Sequence, residues 1–216
     1  MPSTSVQAEE HLPSMMTCSL ASRADARRRL RERLHADALA GWSVRIIGPH
    51  SIEQGGDGDA YLAELRQLAA ERAVRCEFAG PIFDEGALAA QYRRAAIFVY
   101  PSLAETGEAL GLAPLEAMAA GCAAVVSGLQ CFADYLKEGV TGLMFDHRAR
   151  DPAADLATKL ATLIAEPQSL RRLADAGRGA AADFAVAPIT ARMLDDFSSL
   201  LDETEPRRKS STQRSK

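Results

Sequence analysis

Short apolar runs alternate with amphipathic segments along most of this chain. Four runs of five apolar or mostly apolar residues, each ending within two residues of a glycine, proline or serine, are typical of buried strands; they are residues 43–47, 74–78, 96–100 and 123–127. Apolar residues at helical spacing predict helices over 61–69, 85–95, 114–121, 152–165, 168–181 and 188–201. Strands that alternate with helices over short connections favour an α/β fold with a doubly wound parallel sheet.

The two ends of the chain lack this alternation. Residues 1–13 are polar and unpatterned, and we expect them to be disordered. A short strand is predicted within 14–22 and a helix over 24–40. Residues 202–216 form a polar, basic tail that is too hydrophilic to pack; it is either a solvated end or a contact with anionic lipid. One domain is therefore expected over 14–201, with its strongest pattern over 42–146.

The connection after residues 96–100 carries two carboxylates with seven residues between them, Glu108 and Glu116. Pro114 suits the first position of a helix, because its missing N–H would have no partner there. Four residues then recur on one helical face: Leu115, Met118, Ala119 and Cys122. The sequence therefore predicts a strand, a loop, a helix beginning at Pro114 and a further strand.

A loop that enters a helix presents unpaired backbone N–H groups and the positive end of the helix dipole, and both favour a phosphate. Gly111 would let such a ligand approach the backbone closely. Glu116 can accept hydrogen bonds from the hydroxyls of a ribose, and Glu108 can meet a sugar beyond the phosphates. The alternatives are that Glu116 caps its helix and that Glu108 is merely solvated.

Composition narrows the function classes. The chain is 47% hydrophobic and 25% charged, as in ordinary globular proteins, and its net charge of −4 argues against a nucleic-acid binder. The cysteines and histidines show no metal-ligand spacing, so no metal is expected. The absence of a long apolar run or a signal pattern predicts a cytoplasmic protein with reduced thiols, peripheral to a membrane at most.

Several ordered motifs resemble the donor-binding lobe of retaining GT-B glycosyltransferases of the glycogen-synthase-like, family-four type. They are Pro101-Ser102, the pair Glu108-x7-Glu116, the run from Glu116 to Gly121, and Val125-Val126-Ser127. Upstream, residues 44–49 and 76–80 resemble two strands of that lobe with their glycine turns, and downstream 139–145 resembles its next loop and strand.

The resemblance implies a Rossmann-like single lobe and transfer of a hexose, with retention, from a nucleoside diphosphate sugar to a glycan or glycolipid acceptor. Glu108 is the implied catalytic residue. The implied donor-binding residues are Gly48, Gly80, Phe83, Glu108, Gly111, Leu112, Ala113 and Glu116. Family members also carry a basic pair that neutralises the leaving diphosphate, for which Arg23 and Arg28 are the candidates here; a solvated helical face is the alternative. No cofactor is implied, because the nucleotide sugar is a substrate.

The acceptor-binding, amino-terminal lobe of the resembled family has no counterpart in this sequence. The partners implied are therefore a nucleotide sugar and a separate amino-terminal lobe or subunit. In the resembled family the last helix returns towards that lobe; packing against the core of its own domain is the alternative here. Two alternatives stay open. One is a non-catalytic nucleotide-sugar-binding module, and the other is a two-carboxylate glycosidase, which the strand-loop-helix context fits poorly.

Overall fold

A computed structural model of the protein describes residues 14–17, 41–71, 74–103, 105–106 and 109–204. The disorder predicted for 1–13, the helix predicted over 24–40 and most of the predicted tail, 205–216, lie outside the described residues. So do three candidate site residues, Arg23, Arg28 and Glu108.

The described residues form one six-stranded sheet in the order β3-β2-β1-β4-β5-β6, and every neighbouring pair is parallel. The strands are β1 (Ser14–Thr17), β2 (Ser43–Ile47), β3 (Cys76–Gly80), β4 (Ala95–Tyr100), β5 (Ala123–Ser127) and β6 (Leu143–Phe145). This is the strand order of the doubly wound dinucleotide-binding fold. The predicted fold class is confirmed.

Six α-helices connect or follow these strands within the described part of the chain. They are α1 (Gly58–Glu71), α2 (Glu85–Arg94), α3 (Leu112–Ala120), α4 (Pro152–Ala165), α5 (Pro167–Ala182) and α6 (Val186–Thr204). Residues 202–204, assigned from the sequence to the tail, continue α6. Within this part of the chain, no helix is both long and apolar enough to cross a membrane.

Several predicted boundaries were wrong, and two of these elements, β3 and α3, border the candidate site. The strand predicted over 74–78 lies at Cys76–Gly80, because its pairing with β2 extends to the end of that strand, where Ile47 is in register with Gly80. The helix predicted to begin at Pro114 begins at Leu112, with Gly111 at its N-cap. Proline is tolerated throughout the first turn of a helix, so Pro114 correctly indicated the first turn of α3 but is its third residue and not its first.

The hydrophobic core lies on both faces of the sheet, as alternation along β4 requires. Ile97 and Val99 belong to a buried cluster with residues of β5, β6, α4 and α5. Phe98, between them, belongs to a second cluster on the opposite face with Tyr92 of α2 and Ala117 of α3. Helices α2 and α3 are thus fixed against one face, and because each follows the carboxyl end of a parallel strand, their amino-terminal ends lie at the carboxyl edge of the sheet.

The chain divides into two compact units, the larger ending at Ala181 and the smaller beginning at Ala182. The smaller unit contains α6, where the Arg192 guanidinium lies 5.9 Å from the centre of the Phe184 ring. Six large apolar side chains of this helix are at least half exposed: Val186, Met193, Leu194, Phe197, Leu200 and Leu201. The extent predicted for the domain, 14–201, stays a prediction.

Candidate functional site

The carboxyl ends of the parallel strands bring most of the described candidate residues to one edge of the sheet. The strand order reverses between β1 and β4, and doubly wound folds bind ligands in the crevice at such a reversal. The Gly48 N–H, just after β2, donates to the Gly80 carbonyl at the end of β3, with 3.0 Å between nitrogen and oxygen. The two predicted glycines are therefore neighbours.

Gly48 and Gly80 also line a cavity of about 170 Å³ together with two side chains that were not among the candidates predicted from the sequence, His50 and Arg66. The ring of His50 lies 3.4 Å from an oxygen of Asp59, measured from Nε2. Arg66 stacks over another lining residue, Phe78, at 5.9 Å from its ring centre. This corner of the edge is therefore concave and carries positive charge.

The start of α3 is the most tightly defined part of the edge. Gly111 has φ +69°, in the left-handed region, and no side chain caps the helix. The Tyr135 hydroxyl donates to the Gly111 carbonyl at 2.8 Å. A Cβ atom at position 111 would lie 2.4 Å from Cε1 of the fully buried Phe132. The backbone at Gly111 is thus held in a conformation and a space that only glycine fits.

Leu112 and Ala113 follow as the first residues of this helix, and their backbone N–H groups have no intrahelical acceptor. The Leu112 side chain is 62% exposed. Ala113 packs against the same buried cluster as Ile82, in the loop after Gly80. The first turn of α3 and the loop after β3 therefore lie on the same face of the sheet.

Glu116 is the fifth residue of α3 and is exposed. It does not cap the helix, so the capping role that was the alternative for Glu116 is excluded. Its Oε2 accepts a hydrogen bond from the hydroxyl of Tyr92 at 3.2 Å. Tyr92 is 4% exposed and packs edge-on against Phe98, with ring centres 5.6 Å apart. A buried tyrosine therefore orients a surface carboxylate.

The remaining candidates differ in placement. Phe83 is 77% exposed, in the loop between β3 and α2. Of the four residues predicted to share one helical face, Leu115 and Met118 are buried and Ala119 is exposed. Cys122 is buried but lies beyond the helix, which ends at Ala120 with Gly121 as its C-cap. In the described ranges, no group of three or more His, Cys, Asp or Glu residues is arranged to hold a metal ion.

A second polar cluster, which the sequence did not predict, joins the loop after β4 to the residues after β6. Glu105 Oε1 lies 2.9 Å from Nε2 of His147 and accepts from Nε of Arg148 at 2.8 Å. Hydrogen bonds from Arg148 and then His147 lower the pKa of Glu105 below its usual 4.5. Among the described residues, His147 Nδ1 and the buried Ser127 Oγ have no hydrogen-bond partner.

A doubly wound parallel sheet, with an uncapped helix start near the reversal of its strand order, is a Rossmann-like lobe. The family follows from comparison with known proteins. The family model for glycosyl transferases group 1 matches residues 24–166, and the chain belongs to this family of sugar-transferring enzymes. The resemblance to family-four GT-B glycosyltransferases is confirmed.

Among curated proteins, the chain is similar to phosphatidyl-myo-inositol mannosyltransferase of Mycobacterium tuberculosis (strain ATCC 25618 / H37Rv). The two are 34% identical over 126 residues, which cover 58% of this chain and 32% of the relative. A protein of the same description from Mycobacterium bovis matches with the same identity and coverage. The chain thus spans about a third of the length of the curated relatives it matches.

Solved structures agree on the fold. Sucrose-phosphate synthase from Thermosynechococcus elongatus superposes with a TM-score of 0.64 at 24% identity, covering 89% of this chain and 46% of that one. Anabaena Alr3699/HepE in complex with UDP and glucose gives 0.63 at 20% identity, with coverages of 88% and 49%. The C-terminal domain of a glycosyl transferase group 1 family protein, LpcC, from Francisella tularensis gives 0.62 at 17% identity, with coverages of 81% and 92%.

Proposed function

We propose that this chain is the carboxy-terminal, donor-binding lobe of a retaining glycosyltransferase. The reaction is transfer of a hexose from a nucleoside diphosphate sugar to a glycan or glycolipid acceptor. The observation that carries the proposal is the start of α3, where the left-handed Gly111 is fixed by Tyr135 and Phe132 in front of uncapped backbone N–H groups. Such a helix start is suited to bind the negatively charged oxygens of a diphosphate.

The diphosphate binds at this helix start. The N–H groups of Leu112 and Ala113, together with the helix dipole, stabilise the charge that gathers on the leaving diphosphate as the sugar develops oxocarbenium character. Because these dipoles are fixed before the reaction, they need no metal ion. Removal of one comparable hydrogen-bond donor costs about 3 kcal/mol in other enzymes. Arg23 and Arg28 are the candidates for a further contribution to phosphate binding.

The nucleoside lies between the loop after β3 and the first turns of α3. Glu116, oriented by Tyr92, accepts hydrogen bonds from the ribose hydroxyls. The base lies near the loop after Gly80, where the ring of Phe83 is 77% exposed and free to meet an aromatic base. Gly48 and Gly80 keep the carboxyl ends of β2 and β3 free of side chains.

The sugar lies beyond the diphosphate, where Glu108 is the proposed catalytic residue. Its position in the sequence, three residues before Gly111, places it in the connection that ends at the phosphate-binding turn. A carboxylate there can bind the sugar hydroxyls and stabilise positive charge at the anomeric carbon.

The relatives support a donor of this chemistry. The solved Anabaena protein holds UDP and glucose, and the mycobacterial relatives are named for mannosyl transfer to a phosphatidyl-inositol lipid. The Francisella structure, of which the chain covers 92%, is itself a carboxy-terminal domain. The acceptor then binds a separate amino-terminal lobe or subunit, and the exposed apolar side chains of α6 offer a surface for it.

A thermal-shift series tests the donor site. The protein is melted with UDP-glucose, GDP-mannose and ADP-glucose, and with each diphosphate alone. At least one donor should raise the melting temperature, and Glu116→Ala should reduce the gain. Glu166→Ala is the matched control, because this exposed glutamate directly follows α4, outside the proposed site, and its carboxylate accepts a hydrogen bond from the hydroxyl of Ser169. No change with any donor would overturn the proposal.

A non-catalytic nucleotide-sugar-binding module is the second candidate, because an uncapped helix start can bind a diphosphate without any transfer of the sugar. Both candidates bind the donor, so turnover separates them. Purified chain should transfer no sugar by itself, whereas an acceptor-binding partner lobe should restore transfer only if the chain belongs to an enzyme.

A further inference from the structure

The pairing of β2 with β3 contains one extra residue. Ile46 is in register with Phe78 and Ile47 with Gly80, so Ala79 lies opposite no residue of β2. A bulge of this kind bends the strand that carries it and is common beside functional sites. Ala79 lines the cavity of about 170 Å³ at the carboxyl ends of β2 and β3, and residues of α1 form the facing wall.

The cavity lies on the face of the sheet opposite to α2 and α3. Ile47 belongs to the buried cluster that contains Ala117 of α3. Since successive side chains of a strand point to opposite faces, Ile46, which lines the cavity, points away from that cluster, towards Leu62 of α1. In the strand order, β2 and β3 are two and three strands from β4, or about 10 and 14 Å. The cavity therefore lies apart from the start of α3.

Arg66 of α1 lies between this cavity and a second one. Its guanidinium is 5.9 Å from the centre of the Phe78 ring, and both residues line both cavities. Stacking on an aromatic ring fixes the plane of a guanidinium and leaves the N–H groups at its edge able to donate. In the part of the chain that the structure describes, no carboxylate pairs with Arg66. The second cavity measures about 390 Å³, and its other walls are Ala69, Ala70, Val74 and Cys76.

The walls of the smaller cavity combine apolar surface with hydrogen-bond donors. The donors are the guanidinium of Arg66 and the ring of His50, and the apolar side chains are Ile46, Leu62 and Phe78. Arginine recognises phosphate oxygens through charge-assisted hydrogen bonds. The space has room for several water molecules, so an anion that fills it carries an organic group beside its charged oxygens. The walls therefore suit a ligand with a phosphoryl group at one end and apolar surface at the other.

We propose that this cavity binds a small organic phosphate monoester. The phosphoryl oxygens accept hydrogen bonds from Arg66 and His50, and the organic group packs against the apolar walls. An oxygen of Asp59 lies 3.4 Å from Nε2 of His50 and opposes the ligand by repulsion, although its side chain is 92% exposed and water screens its charge. The site is independent of the proposed function, because it makes no use of the start of α3.

NMR titration of the full chain, labelled at its isoleucine and leucine methyl groups, both locates and measures the binding. Phenyl phosphate should shift the methyl resonances of Ile46 and Leu62, with a dissociation constant in the millimolar range. It should bind about threefold or more tightly than inorganic phosphate, because its ring buries apolar surface. Phenol, which lacks the phosphoryl group, should bind more weakly than the ester. Leu112, at the start of α3, is the reference, and shifts confined to it would overturn the inference.

Three substitutions at exposed positions test the contacts. Arg66→Met should weaken binding of phenyl phosphate about tenfold. Arg93→Met is the matched control, because it removes an exposed arginine of α2, on the opposite face of the sheet, and should leave the affinity within about twofold. Asp59→Asn should raise the affinity about twofold, because it removes a negative charge beside His50. Unchanged affinity in Arg66→Met, equal affinities for the ester and inorganic phosphate, or no shift at Ile46 and Leu62 would each overturn the inference.

Discussion

The hydroxyl of Tyr135 donates to the carbonyl of Gly111 at 2.8 Å, across 24 positions of the sequence. Tyr135 is 3% exposed, and its own carbonyl accepts from the Thr141 hydroxyl at 3.2 Å. The segment between β5 and β6 thereby fixes the point where α3 begins. Since the ring of Phe132 fills the space beside Gly111, this helix start is preorganised before any ligand binds.

Replacement of Gly111 by alanine should strongly destabilise the folded protein, for two separate reasons. A left-handed φ is costly for any residue with a Cβ atom, and this Cβ would lie 2.4 Å from a buried ring. We expect the free energy of unfolding to fall by about 3 kcal/mol or more, with loss of the donor-induced thermal shift. Chemical denaturation and donor titration measure the two effects.

Gly139→Ala is the matched control for this prediction. Gly139 has nearly the same φ, +70°, but a Cβ there would meet nothing within 4 Å. It should therefore lose only about 1–2 kcal/mol from backbone strain and retain the donor shift. Equal destabilisation by the two substitutions would contradict the prediction, because it would show that the ring of Phe132 moves aside for the added methyl group at little cost.

Tyr92→Phe should weaken donor binding without unfolding the protein. The substitution removes the hydroxyl that bonds Glu116 at 3.2 Å, while the ring keeps its edge-on contact with Phe98. Because Glu116 is exposed, we expect a loss of only about threefold in affinity. The loss should be seen with a ribonucleoside diphosphate sugar and be absent with its 2′-deoxy analogue. A similar loss with both ligands would contradict a role in ribose binding.

The strands and helices were predictable because their signals are local. The five-residue run at β5 is buried throughout, and α4 carries apolar residues at helical spacing, so periodicity and length identified both. The end of β3 was misplaced, because only pairing with β2 determines that it continues to Gly80. Pairing is a property of two segments, and neither segment alone encodes it.

The candidate site was predictable to the extent that it lies on one continuous segment. Gly111 and Glu116 were selected because glycine and a spaced carboxylate near a helix start have a local chemical meaning. The partners that orient them, Tyr135 and Tyr92, are each 24 positions away. Glu105 and His147 are separated by 42 positions, and no spacing rule connects residues that only the folded sheet brings together.

Glu105→Gln should change the pH dependence of stability. The pKa of Glu105 lies below its usual 4.5, first because of Arg148 and then because of His147. The folded state therefore binds this proton less readily than the unfolded state, so the contribution to stability is present above about pH 4.5 and is lost as the pH falls through the folded-state pKa.

Melting temperatures measured from pH 3 to pH 7 check this sign. The unmodified protein should be more stable than Glu105→Gln near neutral pH, and the two curves should converge at the acid end. Glu166→Gln, which neutralises another exposed carboxylate and leaves the contacts of Glu105 in place, is the matched control. Curves that stay parallel throughout would contradict the assigned pKa direction.

Cys122 should be inert to alkylation in the native protein. Burial raises the pKa of its thiol to about 12, so only about one molecule in ten thousand carries the reactive thiolate at pH 8. Its Sγ also donates to the carbonyl of Tyr92 at 3.1 Å, which holds the thiol within the core. Iodoacetamide followed by peptide mass spectrometry should label the half-buried Cys76 and Cys131 well before Cys122. Denaturation in guanidinium should remove this difference in labelling rate. If native Cys122 were labelled as fast as the other two cysteines, the packing of α3 against β4 would have to open far more often than its burial allows.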